Sequence, residues 1–157
     1  MIPRRFAWCI PLLLAASVQL WAEPARAWAV GGHVGLNLDH GNVHIGGDLH
    51  FPLVQLAPSV RFSIWPSIAH VFIEDGHDVE LLGMDFPFEF QLQNSIVTPF
   101  VGPGLGLAIH EHADLKLNVI CGIFLEAGRG VRPFAELALR FINGTYVDFL
   151  TGVLFEF

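Results

Sequence analysis

Past residue 28 the chain alternates apolar and polar side chains with a period of two, in segments of roughly ten residues bounded by turn-rich clusters. In 43–53, Val43, Ile45, Leu49, Phe51 and Leu53 share one face, and His44, Gly46, Asp48 and His50 share the other. In 78–90, Leu82, Met84, Phe86, Phe88 and Phe90 oppose Gly83, Asp85, Pro87 and Glu89. In 115–126, Leu117, Val119, Cys121, Ile123 and Leu125 oppose Lys116, Asn118, Gly122 and Glu126, and the last segment sets Val147, Phe149, Val153, Phe155 and Phe157 against Asp148, Gly152 and Glu156. The pattern predicts strands at 30–38, 43–53, 60–72, 78–90, 98–109, 115–126, 131–142 and 146–157. The chain is therefore expected to be all-β. No apolar run of about 18 residues follows Trp28, so the pattern predicts no membrane-spanning helix.

Two closures suit such strands. A soluble barrel or sandwich turns its bulky apolar face inward; a membrane barrel turns it to lipid and fills the lumen with small and charged residues. Here the polar face is rich in Gly and Ala and poor in Lys, which suits a crowded interior. The Phe- and Leu-rich face would overfill a narrow lumen. Composition points the same way. Charged residues make up 15% of the chain and apolar residues 53%, against about 25% charged in ordinary soluble domains. The expected architecture is an eight-stranded antiparallel up-and-down transmembrane β-barrel, which leaves no backbone group unpaired in lipid.

Residues 1–27 read as a secretory signal peptide. Arg4 and Arg5 precede an apolar core over 7–20, and Ala25-Arg26-Ala27 is a small-x-small cleavage site, with Ala22 and Ala29 as alternatives. The barrel domain then spans 28–157. Losing Arg4, Arg5, Arg26 and Glu23 moves the net charge from −7 to −9 and leaves Cys121 as the one cysteine, so no internal disulfide is expected. The acidic balance and the lack of a basic cluster argue against a nucleic-acid partner.

Thr98-Pro99-Phe100-Val101-Gly102-Pro103-Gly104-Leu105-Gly106-Leu107-Ala108 resembles the glycine-alternating strand of small outer-membrane barrels of the OmpA/OmpX-like superfamily, and Val131-Arg132-Pro133-Phe134-Ala135-Glu136 resembles the next hairpin of that group. The resemblance implies a location in the outer membrane of a Gram-negative bacterium and contact with its lipid. It also implies that Phe157, with Phe155, is the C-terminal signal read by the barrel-assembly machinery. With the mature N-terminus in the periplasm, the 39–42, 74–76, 111–113 and 143–145 connections face outward.

Chemistry is sparse. His110-Glu111-His112, His40 and His77 fall in outward loops and carry metal-ligand side chains, without a spacing that fixes a site, so the metal remains unassigned. Ser67 and His70 fall on opposite faces, and no Ser/His/acid set for acyl chemistry emerges. No motif implies a cofactor. The expected role is structural or interactive, around a closed polar lumen; a lipid-modifying enzyme or a narrow pore is the alternative.

The lumen-facing charges suggest a network. Opposite residues in a hairpin must share a face. A three-residue 143–145 loop sets Arg140 opposite Asp148 and Arg132 opposite Glu156. A three-residue 74–76 loop sets Arg61 opposite Glu89 and Trp65 opposite Asp85, and a four-residue 39–42 loop sets His33 opposite Asp48.

Overall fold

The computed structural model describes residues 28–73, 79–109, 113–128, 130–141 and 144–157. The expected leader over 1–27 and the residues His77, His110, Glu111 and His112 lie outside them. The strands are β1 (Ala29–Asn37), β2 (Val43–Ala57), β3 (Val60–Phe72), β4 (Val79–Asp85), β5 (Phe88–Phe90), β6 (Val97–Ile109), β7 (Ala113–Leu125), β8 (Val131–Phe141) and β9 (Thr145–Glu156). Apart from β4 and β5, which do not pair with each other, all pair antiparallel with their chain neighbours, and β1 also pairs with β9, which closes the ring. The pieces β4 and β5 are one barrel strand, since both lie between β3 and β6. The interruption falls at Phe86-Pro87. Pro87 has no N–H to give the ladder, while the flanking bonds persist: Phe86 N–H donates to Pro103 O at 2.9 Å and Ser63 N–H to Pro87 O at 3.0 Å. A second irregularity lies in β2, where the register with β3 shifts between Pro52 and Val54. The fold is thus a closed, eight-stranded, up-and-down antiparallel barrel.

Following the register once around, from Ala29 through His50, Trp65, Asp85, Gly104, Asn118, Arg140 and Tyr146, returns to the line of β1 at position 39, ten residues further on. At ~3.3 Å per residue and ~4.8 Å between strands, eight strands with that shear tilt by about 40° from the axis, inside the range of closed barrels.

The two faces sort as the alternation requires. Side chains such as Val34, Ile45, Leu82, Leu105, Leu117, Leu139 and Phe149 are exposed on the outside. Trp65, Phe100, Phe124, Phe134, His50, Arg61, Glu89 and Arg132 are buried inside. A continuous apolar belt of this kind is stable against lipid and not against water. Inside, glycines stand where large side chains cross the lumen. A Cβ on Gly152 would meet the ring of Phe134, one on Gly122 that of Phe100, one on Gly46 that of His33 and one on Gly35 that of His44.

Two hairpins differ from the expected register. In the last, Phe141 pairs with Thr145, so Arg140 lies opposite Tyr146 and Arg132 opposite Leu154, two residues from the expected Asp148 and Glu156. In the first, Leu36 pairs with Val43, so His33 lies opposite Gly46 rather than Asp48. The first loop is longer than expected because Asn37 ties the turn together: its N–H donates to Asn42 O at 2.8 Å, its carbonyl accepts from Gly41 N–H at 2.8 Å, and its side-chain Oδ1 accepts from His40 N–H at 2.7 Å. Gly41 sits there at φ +73°, a conformation that favours glycine. The second hairpin has Arg61 opposite Glu89 and Trp65 opposite Asp85.

Candidate functional site

The candidate site is the lumen, which is layered. At the end that carries Trp28 and Phe157, Glu89 is the hub. It is 0% exposed. Its Oε2 accepts from Arg61 Nη2 at 2.5 Å and Nε at 3.2 Å, and lies 3.4 Å from Arg132 Nη2; its Oε1 is 2.8 Å from His50 Nε2 and accepts from Ser63 Oγ. Arg132, 1% exposed, also approaches Glu126 Oε1 with Nε at 3.1 Å and Glu156 Oε1 with Nη1 at 3.5 Å. Neither approach is aligned as a hydrogen bond; both are charge contacts. One carboxylate thus takes two guanidiniums, an imidazole and a hydroxyl, which meets the requirement that a buried charge be paired and hydrogen-bonded.

An aromatic layer rests on this hub. The guanidinium of Arg132 lies 4.3 Å from the ring centroid of Phe124, within cation–π range. Trp65 meets Phe134 at 4.9 Å, Phe124 at 5.3 Å and Phe100 at 5.6 Å between centroids, with His50 edge-on to Trp65 at 6.0 Å. These four rings, from strands β3, β6, β7 and β8, span the barrel.

Above them comes a second polar layer. His33 Nδ1 lies 2.7 Å from Asp48 Oδ2, and Asn118 Nδ2 donates to Asp85 Oδ1 at 2.5 Å. Arg140 Nε donates to Asp148 Oδ2 at 2.5 Å, and Asn37 Nδ2 donates to Asp148 Oδ1 at 2.7 Å. The gap between the aromatic layer and these groups, lined by His33, Asp48, Ser67, Asp85 and Glu136, is about 20 Å³, the room of a single water. The waist of the barrel is therefore filled.

The residues picked from sequence as a network fall into three sets. Arg61, Glu89, Arg132 and Glu156 meet at the terminal end; Arg140 and Asp148 meet near the other; His33 and Asp48 meet between them. Arg140–Asp148 and His33–Asp48 join diagonally across their hairpins, two positions off direct opposition. Sequence reasoning missed His50 and Ser63 as partners of Glu89, Glu126 as a partner of Arg132, and Asn37 and Asn118 as partners of Asp148 and Asp85. All but Glu126 lie at inward positions of their strands, so their phase was readable and their partners were not.

Phe155 and Phe157 are exposed at the terminal edge. Phe157 stacks on Trp28 at 5.1 Å and its N–H donates to Trp28 O at 3.0 Å, beside the β1–β9 seam. Ser67 points inward and His70 outward, so they do not meet; His70 pairs instead with Glu80 at 2.7 Å on the outer surface. His50 and Ser63 both turn to Glu89, in a cluster closed to solvent, which is not an acyl-transfer geometry. Among the described residues no group of three metal-ligand side chains comes together.

No family model matches the chain, and no curated protein does. Solved structures do match in fold. The N-terminal β-barrel domain of Pseudomonas aeruginosa OprF aligns with a TM-score of 0.64 at 14% identity, over 85% of this chain and 99% of that one. The outer membrane enzyme PagL aligns with a TM-score of 0.61 at 11% identity, over 82% and 99%. A de novo designed transmembrane β-barrel gives 0.61 at 12% identity, over 86% and 98%. Closure, strand number and apolar belt agree with these likenesses: the chain has the fold of the small eight-stranded transmembrane β-barrels, the OmpA/OmpX-like architecture.

Proposed function

We propose that the protein is an exported outer-membrane barrel that acts as a closed structural or interaction scaffold and not as a pore. The observation that carries this reading is that two barriers cross the lumen in series, the Glu89 hub and the Trp65–Phe100–Phe124–Phe134 layer. Water and ions would have to break buried ion pairs and then move packed rings. The outward apolar belt supports outer-membrane lipid as the surrounding medium. The exposed Phe157 and Phe155, on the strand that closes the ring, support their reading by the assembly machinery after a signal peptide over 1–27 is removed.

Planar-bilayer recording of the purified, refolded protein is the test, paired with gel migration of the unheated outer-membrane fraction. The expected results are no steady conductance and a heat-dependent shift in mobility. Sustained single-channel steps of uniform size would overturn the closed lumen, and recovery in the inner-membrane or soluble fraction would overturn the location.

A further inference from the structure

Beyond the second polar layer, at the end away from Trp28 and Phe157, the lumen opens into a cavity of about 240 Å³. Its two walls differ in kind. Val71 and Ile73 at the end of β3, with Val79 and Leu81 of β4, make one wall apolar, and Leu81 continues into a buried cluster with Ala69 and Ala108. The facing wall, from β1, β2, β7 and β9, carries Asn37, His44, Lys116, Tyr146 and Asp148. Inward apolar side chains run against the pattern of a water-filled lumen, because apolar surface left against water is unfavourable. Something with an apolar body suits that wall.

We propose that this cavity binds a small amphiphile with an anionic head, entering from the side opposite Trp28 and Phe157. The facing wall indicates the head. Asp148 is already held by Arg140 and Asn37, so that pair is neutral as a unit. Lys116 lines the cavity, and its Nζ donates to the uncharged phenol of Tyr146 at 2.7 Å. An anionic oxygen at the polar wall gives Lys116 a charged partner inside the cavity. At ~30 Å³ for each water-sized group, the cavity holds about eight such groups, the size of a six-carbon carboxylate. This inference is independent of the pore question, since the cavity lies on the far side of both barriers.

The experiment is a titration of the full barrel in phospholipid nanodiscs with sodium hexanoate, and separately with hexanol, followed by methyl NMR. The expected result is saturable shifts at Val71, Val79 and Leu81. Lys116→Gln should weaken hexanoate at least fivefold and leave hexanol within twofold, and Leu81→Phe, which fills the cavity, should abolish both. Heat-modifiable migration checks that each variant is folded; should Lys116→Gln not fold, Lys116→Met carries the head-group test with the same expected split. Shifts confined to the lipid-facing methyls of Leu82, Leu105 and Leu107 mean partition into the bilayer and overturn the proposal. So does the absence of saturable shifts, or an equal loss of hexanoate and hexanol in the head-group variant.

Discussion

At the scale of single residues the lumen shows how charge survives in a closed interior. Glu89 is tolerable there because four side chains turn to it. Remove the carboxylate and Arg61 remains buried without its counter-charge, while Arg132 keeps only its contacts with Glu126 and Glu156; breaking a buried pair from one side costs about 3–5 kcal/mol. Glu89→Ala should lower the urea midpoint of unfolding from vesicles accordingly. Arg140→Ala strands Asp148, but Asn37 still donates to it, so the loss should be the smaller of the two. Chevron or equilibrium unfolding in the same vesicles compares them, and a larger loss for Arg140→Ala would contradict the ranking.

At the scale of strands and hairpins, polarity proved a good guide to face and a poor one to register. Side chains repeat every two residues along a strand, so a slip of two keeps every residue on its face. Placing Asp148 or Tyr146 opposite Arg140 satisfies the same pattern, and only the turn decides between them. The pairing at Arg140 and Asp148 forms in the slipped register because a long side chain reaches the diagonal neighbour. The break at Phe86-Pro87 was equally hidden: Pro87 keeps the alternation intact while removing a ladder donor. What the sequence did disclose was strand number, strand limits to within a few residues and the inward set; partner choice depends on ring-wide geometry that no single hairpin contains. Adjacent glycines on β2 give a test of this face assignment. A Cβ at Gly46 would meet the ring of His33 and the carbonyl of Ile68, whereas one at Gly47 would have nothing nearer than Gly31 O at 3.8 Å. Gly46→Ala should destabilise by about 1–3 kcal/mol through overpacking. Gly47→Ala should be neutral or stabilise by about 0.5 kcal/mol, since Gly in a strand interior is entropically unfavourable. Thermal unfolding of the two variants in one detergent separates them.

For the molecule as a whole, the two barriers in series make a specific demand on channel recordings. Trp65→Ala removes the largest ring of the aromatic layer but leaves the Glu89 hub beneath it, so this variant should stay electrically silent. Measurable steady current from Trp65→Ala alone would mean that the hub does not close the lumen. The tilt of the strands also fixes how much hydrocarbon the barrel wants around it. On β7 the outward residues from Leu115 to Leu125 are apolar without interruption. Ten steps of ~3.3 Å inclined at about 40° give a height of roughly 25 Å, against ~30 Å for the core of an average bilayer. Lipids beside the barrel would have to shorten, at an elastic cost that grows with acyl length. Insertion from urea into short-chain phosphatidylcholine vesicles should therefore be faster and more complete than into long-chain ones, when followed by tryptophan fluorescence, and the protein should collect in the thinnest regions of a mixed membrane.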